Sequence, residues 1–365
     1  MNFITQVPDT LGPIQAEIRT YRQLVQNSRK DDPELPVRLN SLAVALRQLY
    51  ERIGDIEALG EAISISRQIV EIVPEKDNYY TGWLNNLGVA LQVRYEHTGK
   101  DEDLQEAIDV TRKAIELTPE ENEHYPGWLT NLANKLRLRY KRTGNLEYLE
   151  ESITISRQVL EIAPIGHPNR IGWSNNLGFK LSERYDKTRN VDDLVEAGFI
   201  FRSVLDATDI DDPNLALRMT NLANLLAKKY ERSGHIKELE QSIFLFLQAL
   251  QITPDGHTRI PSDLNDLANK LRMWYNHTKE LEDLEESIRV ARKSVELTPP
   301  NHPNLPVHLS NLGSKLLLLY DEQTKKTEDL EEAIRVTRQA IELTPKDHPS
   351  LADFQHNLDI MLRRS

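Results

Sequence analysis

Leu84-Asn85-Asn86-Leu87-Gly88-Val89-Ala90-Leu91-Gln92-Val93-Arg94-Tyr95-Glu96-His97-Thr98-Gly99 is the stretch that decides the fold. Leu84, Leu87, Gly88, Leu91 and Tyr95 follow the i, i+3, i+4, i+7 spacing that gathers side chains on one face of an α-helix. Thr98-Gly99 then ends that helix, because glycine takes the left-handed conformation a helix C-terminus calls for. A second helix follows, with Leu104, Ala107, Ile108, Ala114, Ile115 and Leu117 on its inner face. Its first turn is acidic (Asp101, Glu102, Asp103) and its basic residues, Arg112 and Lys113, come later, both favourable to the helix dipole. Pro119 closes the unit, and Asp55, Asn145 and Asn190 stand at the N-cap of the second helix in other copies.

Outward from this stretch the pattern repeats. Tyrosine recurs at Tyr50, Tyr95, Tyr140, Tyr185, Tyr230, Tyr275 and Tyr320, always 45 residues apart. Leucine keeps the same interval from Leu42 to Leu312, and a second leucine column runs from Leu46 to Leu316. An eighth copy, at Leu358 and Leu362, comes one residue late because the turn over Asp321 to Leu330 is one residue longer than its counterparts. Helices of about 17 residues, roughly 25 Å long, leave turns short enough only for antiparallel neighbours. Arg22-Gln23 lies one interval before Arg67-Gln68, so an unpaired second-type helix precedes the first pair. The expected architecture is all-α, one solenoid over residues 12–363 after an N-terminal tail at 1–11. It comprises the orphan helix at 12–29, seven helix pairs from about 36 to 346 and a truncated last helix at 350–363, about 16 helices in all.

Composition narrows the function classes. Of 365 residues 39% are hydrophobic and 28% charged, suited to a two-layer stack in which each unit touches its neighbours. There is no cysteine, which excludes disulfides and thiol nucleophiles and permits a cytoplasmic setting. The net charge of −12 argues against nucleic acid as main partner. No apolar run approaches the ~20 residues a membrane helix needs.

The motif Leu84, Leu87-Gly88, Leu91, Ala107, Ala114, Pro119 resembles the tetratricopeptide repeat, whose usual period is about 34 residues. The longer turn and linker account for the interval seen here. His302-Pro303 and Leu309-Ser310-Asn311-Leu312-Gly313, with Leu84-Asn85-Asn86-Leu87-Gly88, are similar to the kinesin light chain subtype. The Tyr-x-x-Thr-Gly turn is similar to long repeats of fungal proteins, which accompany nucleotide-binding signalling modules or caspase-like CHAT domains. The resemblance implies a right-handed superhelical solenoid and a protein-binding role, and leaves the partner open.

Opposite the Leu/Tyr stripe, the first helix carries Asn86, Asn131, Asn176, Asn221 and Asn311. An amide has donors and an acceptor and can pair with the main chain of an extended peptide, the role the resemblance implies; equally, each can bond to a neighbouring helix. One turn on stand Lys135, Lys180, Lys270 and Lys315, with Lys228 nearby, against Asp266 and Glu183. A basic band in an acidic protein points to an acidic ligand segment, while ordinary solvated charge is the plain alternative. Trp83, Trp128 and Trp173 form either a ladder of rings along the rim or packing against the preceding helix. Phe199 and Phe244 replace Ser64, Asp109, Thr154, Arg289 and Arg335 of the other copies, and Leu247 replaces the usual arginine. They nominate an outer interface, homodimeric or with a partner, unless Phe199 turns into the space beside Gly198.

No HExxH, nucleophile elbow or metal spacing appears, and His167, His302 and His348 belong to a His-Pro linker motif. Neither a cofactor nor a metal is expected. The reading favours a protein–protein interaction scaffold that holds an acidic segment. An enzyme or small-molecule pocket, and a sensor module of a larger fungal signalling protein, stand as alternatives.

Overall fold

The computed structural model describes residues 11–346, 348 and 350–364, and every regular element among them is helical. The first helices of the pairs, the A layer, are α2 (Leu35–Ile53), α4 (Tyr80–Thr98), α6 (Tyr125–Thr143), α8 (Arg170–Thr188), α10 (Leu215–Ser233), α12 (Ile260–Thr278), α14 (Leu305–Leu319) and α16 (Leu351–Leu362). The B layer is α1 (Leu11–Asn27), α3 (Ile56–Ile72), α5 (Asp101–Glu116), α7 (Leu146–Ile162), α9 (Val191–Asp206), α11 (Ile236–Ile252), α13 (Leu281–Leu297) and α15 (Thr327–Glu342). Contacts divide the chain into a first unit ending at Lys180 and a second beginning at Leu181, inside α8. Within each unit successive helices pack as a solenoid of antiparallel pairs. The expected tail lies, up to residue 10, outside the described residues. No described helix is long and apolar enough to cross a membrane.

Local rules set the helix bounds. Asp55, Asn145 and Asn190 cap α3, α7 and α9 by accepting backbone N–H bonds from Glu57, Glu147 and Asp192 at 3.1 Å. The A helices before α16, α14 by way of its π-helical extension, close on a left-handed residue, glycine at Gly54, Gly99, Gly144 and Gly234. Where that residue is Arg189, Lys279 or Lys325, its cation lies 5.2–5.4 Å from the ring centre of the column tyrosine, Tyr185, Tyr275 or Tyr320. The cation–π contact offsets part of the strain a side chain suffers there. The extra residue of the last turn is absorbed as a π-helical turn over Tyr320–Thr324.

The linkers hold a column that the His-Pro motif only hinted at. Asp32, Asp77, Asn122, His167, Asp212, His257, His302 and His348 each accept a bond from the backbone N–H two residues on. The imidazole Nδ1 thus does the work of an Asp or Asn oxygen in stabilising the turn.

Inside the pairs, Leu46, Leu91, Leu136, Leu181 and Leu316 are fully buried. At Gly88 and Gly313 a Cβ would stand 2.6 and 2.3 Å from the hydroxyls of Thr111 and Thr337. Glycine therefore lets the A helix approach a threonine of its B helix, which explains the Leu-Gly step of the motif.

Candidate functional site

The asparagine column of the A layer is tied from helix to helix. Within the first unit Asn86 donates to Asn40 Oδ1 at 3.0 Å and Asn131 to Asn85 Oδ1 at 2.8 Å. Within the second, Asn311 donates to Asn265 Oδ1 at 2.9 Å. Each pair joins one residue of the column to the residue just before it in the preceding copy, a second column the periodicity argument missed. The doublet Asn85-Asn86 was its sequence signal. Asn86 is exposed, Asn131, Asn176 and Asn311 are half-buried, and Asn221 is buried. An amide can make about four hydrogen bonds, so a pair leaves most of that capacity to other partners.

The lysine column lies deeper than a solvated band would. Lys135, Lys180 and Lys315 are buried, at positions where the first two copies have Ala45 and Ala90. The Lys180 ammonium points between its own A helix, the A helix before it and a B helix. Lys180 donates to Ser156 Oγ at 2.9 Å and Asn134 Oδ1 at 3.4 Å. Lys315 donates to Asn269 Oδ1 at 2.7 Å and the Asn311 carbonyl at 3.2 Å. Half-buried Lys270 lies over the Phe246 ring, 5.5 Å from its centre. Lys135 has Val89 where the others have Asn134 or Asn269, and its Nζ finds no hydrogen-bond partner. Burial pushes Lys135 down to about 8. Burial, with Arg272 and Lys270 close by, pushes Lys315 down to about 7. Burial also lowers Lys270. The column therefore carries less charge at neutral pH than its residue types imply.

Cations nearer the surface of this layer include Lys228, Arg137 and Arg272. Lys228 donates to Ser182 Oγ at 2.9 Å and Asp186 Oδ2 at 2.6 Å. Arg137 lies 5.3 Å from the ring centre of exposed Phe179. Half-buried Arg272 makes no ion pair among the described residues. Asp266, half-buried, accepts from Asn224 at 3.3 Å, and Glu183 is half-buried as well.

Trp128 and Trp173 are buried, Trp173 in the same apolar cluster as Val159 and Ala163 at the end of α7, and half-buried Trp83 packs against the cluster that holds Val73. The rings fill the seam left by the long linker instead of forming an exposed ladder. A Cβ at Gly82, Gly127 or Gly172 would meet nothing, so the glycines before them are not required by close packing.

On the B layer, Phe199 is 75% exposed, Phe244 58% and Leu247 52%. The space beside Gly198 is held by Lys229 and Leu225, so Phe199 does not turn inward. Elsewhere this face carries a ladder of ion pairs between successive B helices. Arg22–Glu61, Arg67–Glu106 and Arg112–Glu151 in the first unit and Arg292–Glu332 in the second span 2.5–2.7 Å. In the same register the second unit has Arg202 with Gln241 and Leu247 with Glu286, and Glu286 pairs instead with Arg289 on its own helix. The ladder lapses where the phenylalanines stand.

Buried His308 contacts the hydroxyls of Ser294 at 3.2 Å and Thr298 at 2.9 Å, and burial pushes it down to about 4. That seals it as a neutral packing group. Among the described residues no cluster of His, Asp and Glu could hold a metal ion. A cleft of about 360 Å³ lined by Pro300, His302, Pro303, Pro306, Pro345 and His348 lies between two linkers, away from both columns.

Residues 82–120 and 127–169 match the sequence model of the tetratricopeptide repeat. Those two stretches thus carry tetratricopeptide repeats, a kind of repeat that generally mediates protein–protein contacts. No curated protein matches it in sequence. Among solved structures it is similar to the nearly identical TPR-like repeats of Podospora anserina assigned to a kinesin light chain, at 18% identity over 60% of this chain and 99% of that one, TM-score 0.44. It is similar to BtubC (BKLC) from P. vanneervenii at 16% identity over 66% and 94%, TM-score 0.46. A human IFIT1 dimer with m7Gppp-AAAA aligns at 13% identity over 96% of this chain and 68% of that one, TM-score 0.56. That last likeness is one of fold alone.

Proposed function

We propose that this chain is a protein–protein interaction scaffold, working in the cytoplasm, that takes an extended, acidic segment of a partner along its A layer. The observation that carries the reading is the series of amides on successive A helices, flanked by cations. A main chain laid across Asn86, Asn131 and Asn176, or beside Asn311, would find donors and acceptors irrespective of its sequence. Carboxylates of the segment would sit beside Arg137, Lys228 or Arg272, and would draw protons back onto Lys135, Lys270 and Lys315 by opposing the burial that depresses them. Attraction of this kind sets partner choice and association rate more than affinity.

The test uses a fluorescent decaglutamate and a decalysine as probes with the full chain. Decaglutamate is expected to bind and decalysine not to. Alanine at Asn86, Asn131 and Asn176 together with Arg137→Glu and Arg272→Glu should weaken decaglutamate at least tenfold while circular dichroism stays helical. Equal binding of both probes, or an unaltered variant, would contradict the reading. A second contact surface, with a partner or with another copy of the chain, is favoured by the exposed Phe199, Phe244 and Leu247.

A further inference from the structure

The outer face of α9 and α11 has a pattern that selects its own occupant. Both helices are antiparallel to α10 and so run parallel to each other, with equivalent residues 45 apart in sequence. Val195 is therefore level with Glu240, Phe199 with Phe244, and Arg202 with Leu247. Val195, 59% exposed, extends the apolar set, so exposed apolar side chains run diagonally from Val195 through the two phenylalanines to Leu247. The two corners off that diagonal hold opposite charges, Arg202 and Glu240. Both are exposed, and neither makes an ion pair among the described residues. Arg202 is the arginine of the ladder whose register partner is Gln241 in place of a glutamate.

We propose that this face pairs with the same face of a second copy of the chain, about a two-fold axis lying along the apolar diagonal. Such an axis leaves the diagonal on itself and exchanges the two remaining corners. Val195 and Leu247 then meet their own counterparts, the phenylalanines interleave, and Arg202 lies on the partner's Glu240 at both ends. An isologous contact needs a surface complementary to itself, and this one is, in charge as well as in polarity. A charged pair at the rim of an apolar centre fixes register, while the buried aromatics supply most of the attraction. An unrelated partner would need no such symmetry in the placement of the two charges. The proposal rests on reading the patch as a contact surface and is independent of the peptide-binding reading of the A layer, whose residues it does not touch.

Sedimentation equilibrium of the full chain from about 1 to 200 µM in physiological salt tests it. The wild type is expected to pass from monomer to dimer across that range. Phe244→Glu should abolish the dimer. Arg202→Glu and Glu240→Arg should each weaken self-association at least tenfold, because like charges would meet at both corners. An equimolar mixture of those two variants restores opposite charges at both corners, and should dimerise within about threefold of wild type. Circular dichroism checks that all variants remain helical, and Phe244→Ser serves as a milder second probe of the patch. A wild type that stays monomeric throughout, or single-charge variants whose mixture dimerises no better than either alone, would overturn the proposal and assign the face to another partner or to none.

Discussion

In the A layer, Lys135, Lys180 and Lys315 are buried in a column where the first two copies have alanine. In the B layer, Phe199 and Phe244 are exposed in a column that is otherwise serine, aspartate, threonine or arginine. Both reverse the usual assignment of charge to water and apolar surface to the core. They differ in what surrounds them. Lys180 and Lys315 have Ser156, Asn134, Asn269 and a main-chain carbonyl arranged as acceptors, so the fold answers each cation from within. The phenylalanines stay mostly in water, and the ion-pair ladder gives way around them. A reversal answered locally is structure; one left unanswered points outward, to a contact with another molecule. Lys135 tests the first half of that rule, because it is buried without an answering acceptor.

The largest expected effect is on stability against pH. Lys135 and Lys315 titrate in the folded chain at about 8 and about 7, below the 10.5 of an unburied lysine. Between those values and 10.5 the unfolded chain binds more protons, so stability rises with pH across the window. Below it the cost of two buried cations is constant. At about 1.4 kcal/mol per pKa unit the two sites together amount to several kcal/mol as an upper limit. Urea unfolding of the wild type and of Lys135→Met/Lys315→Met at pH 7 and pH 10 checks this: the variant's advantage should be largest at pH 7 and nearly gone at pH 10. Next comes the contrast within the column. Lys135→Met should stabilise by about 1–3 kcal/mol by removing an unsatisfied buried polar group, whereas Lys180→Met, which strands Ser156 and Asn134, should not stabilise at all. Equal responses in thermal unfolding would break the comparison.

Smaller effects belong to the surface. Phe244→Ser should leave the unfolding free energy of the chain within about 0.5 kcal/mol in dilute solution, since the side chain is mostly in water. A loss of 2 kcal/mol or more there would mean the ring is part of the fold. Arg67→Ala, which opens a rung of the ladder, should cost about 0.2–1 kcal/mol, and less in high salt. Gln241→Glu should gain a few tenths by restoring the rung to Arg202, the least of these changes. Paired denaturation curves at low and high salt would resolve both.

The fold was legible because every column repeats at one interval, and leucine, tyrosine and the Gly-Pro punctuation all keep the same phase. The single lapse, the longer turn after Tyr320, was visible as a count, although not as the π-helical turn that absorbs it. The site was less legible. A lysine column reads as solvated charge in a linear sequence, because nothing in the periodicity distinguishes it from the surface; the alanines at the same position in the first two copies were the clue that it is interior. The asparagine pairs escaped because their spacing is one repeat plus one residue, a relation set by the offset of neighbouring A helices. The basic residues at Arg189, Lys279 and Lys325 stood in a glycine column, and only the structure placed them over the tyrosines behind. The exposed phenylalanines were plain from the column they interrupt, whereas the charge symmetry around them needed two helices laid side by side.

The central claim is that the A layer holds an acidic segment beside cations that burial has partly neutralised. Isothermal titration of the wild-type chain with decaglutamate at pH 7 and pH 9, in two buffers of different ionisation enthalpy, tests it most directly. The account predicts binding that takes up protons and weakens as pH rises, because the ligand's carboxylates restore charge to Lys135, Lys270 and Lys315. Binding that is independent of pH and of buffer, or no binding at all, would contradict it.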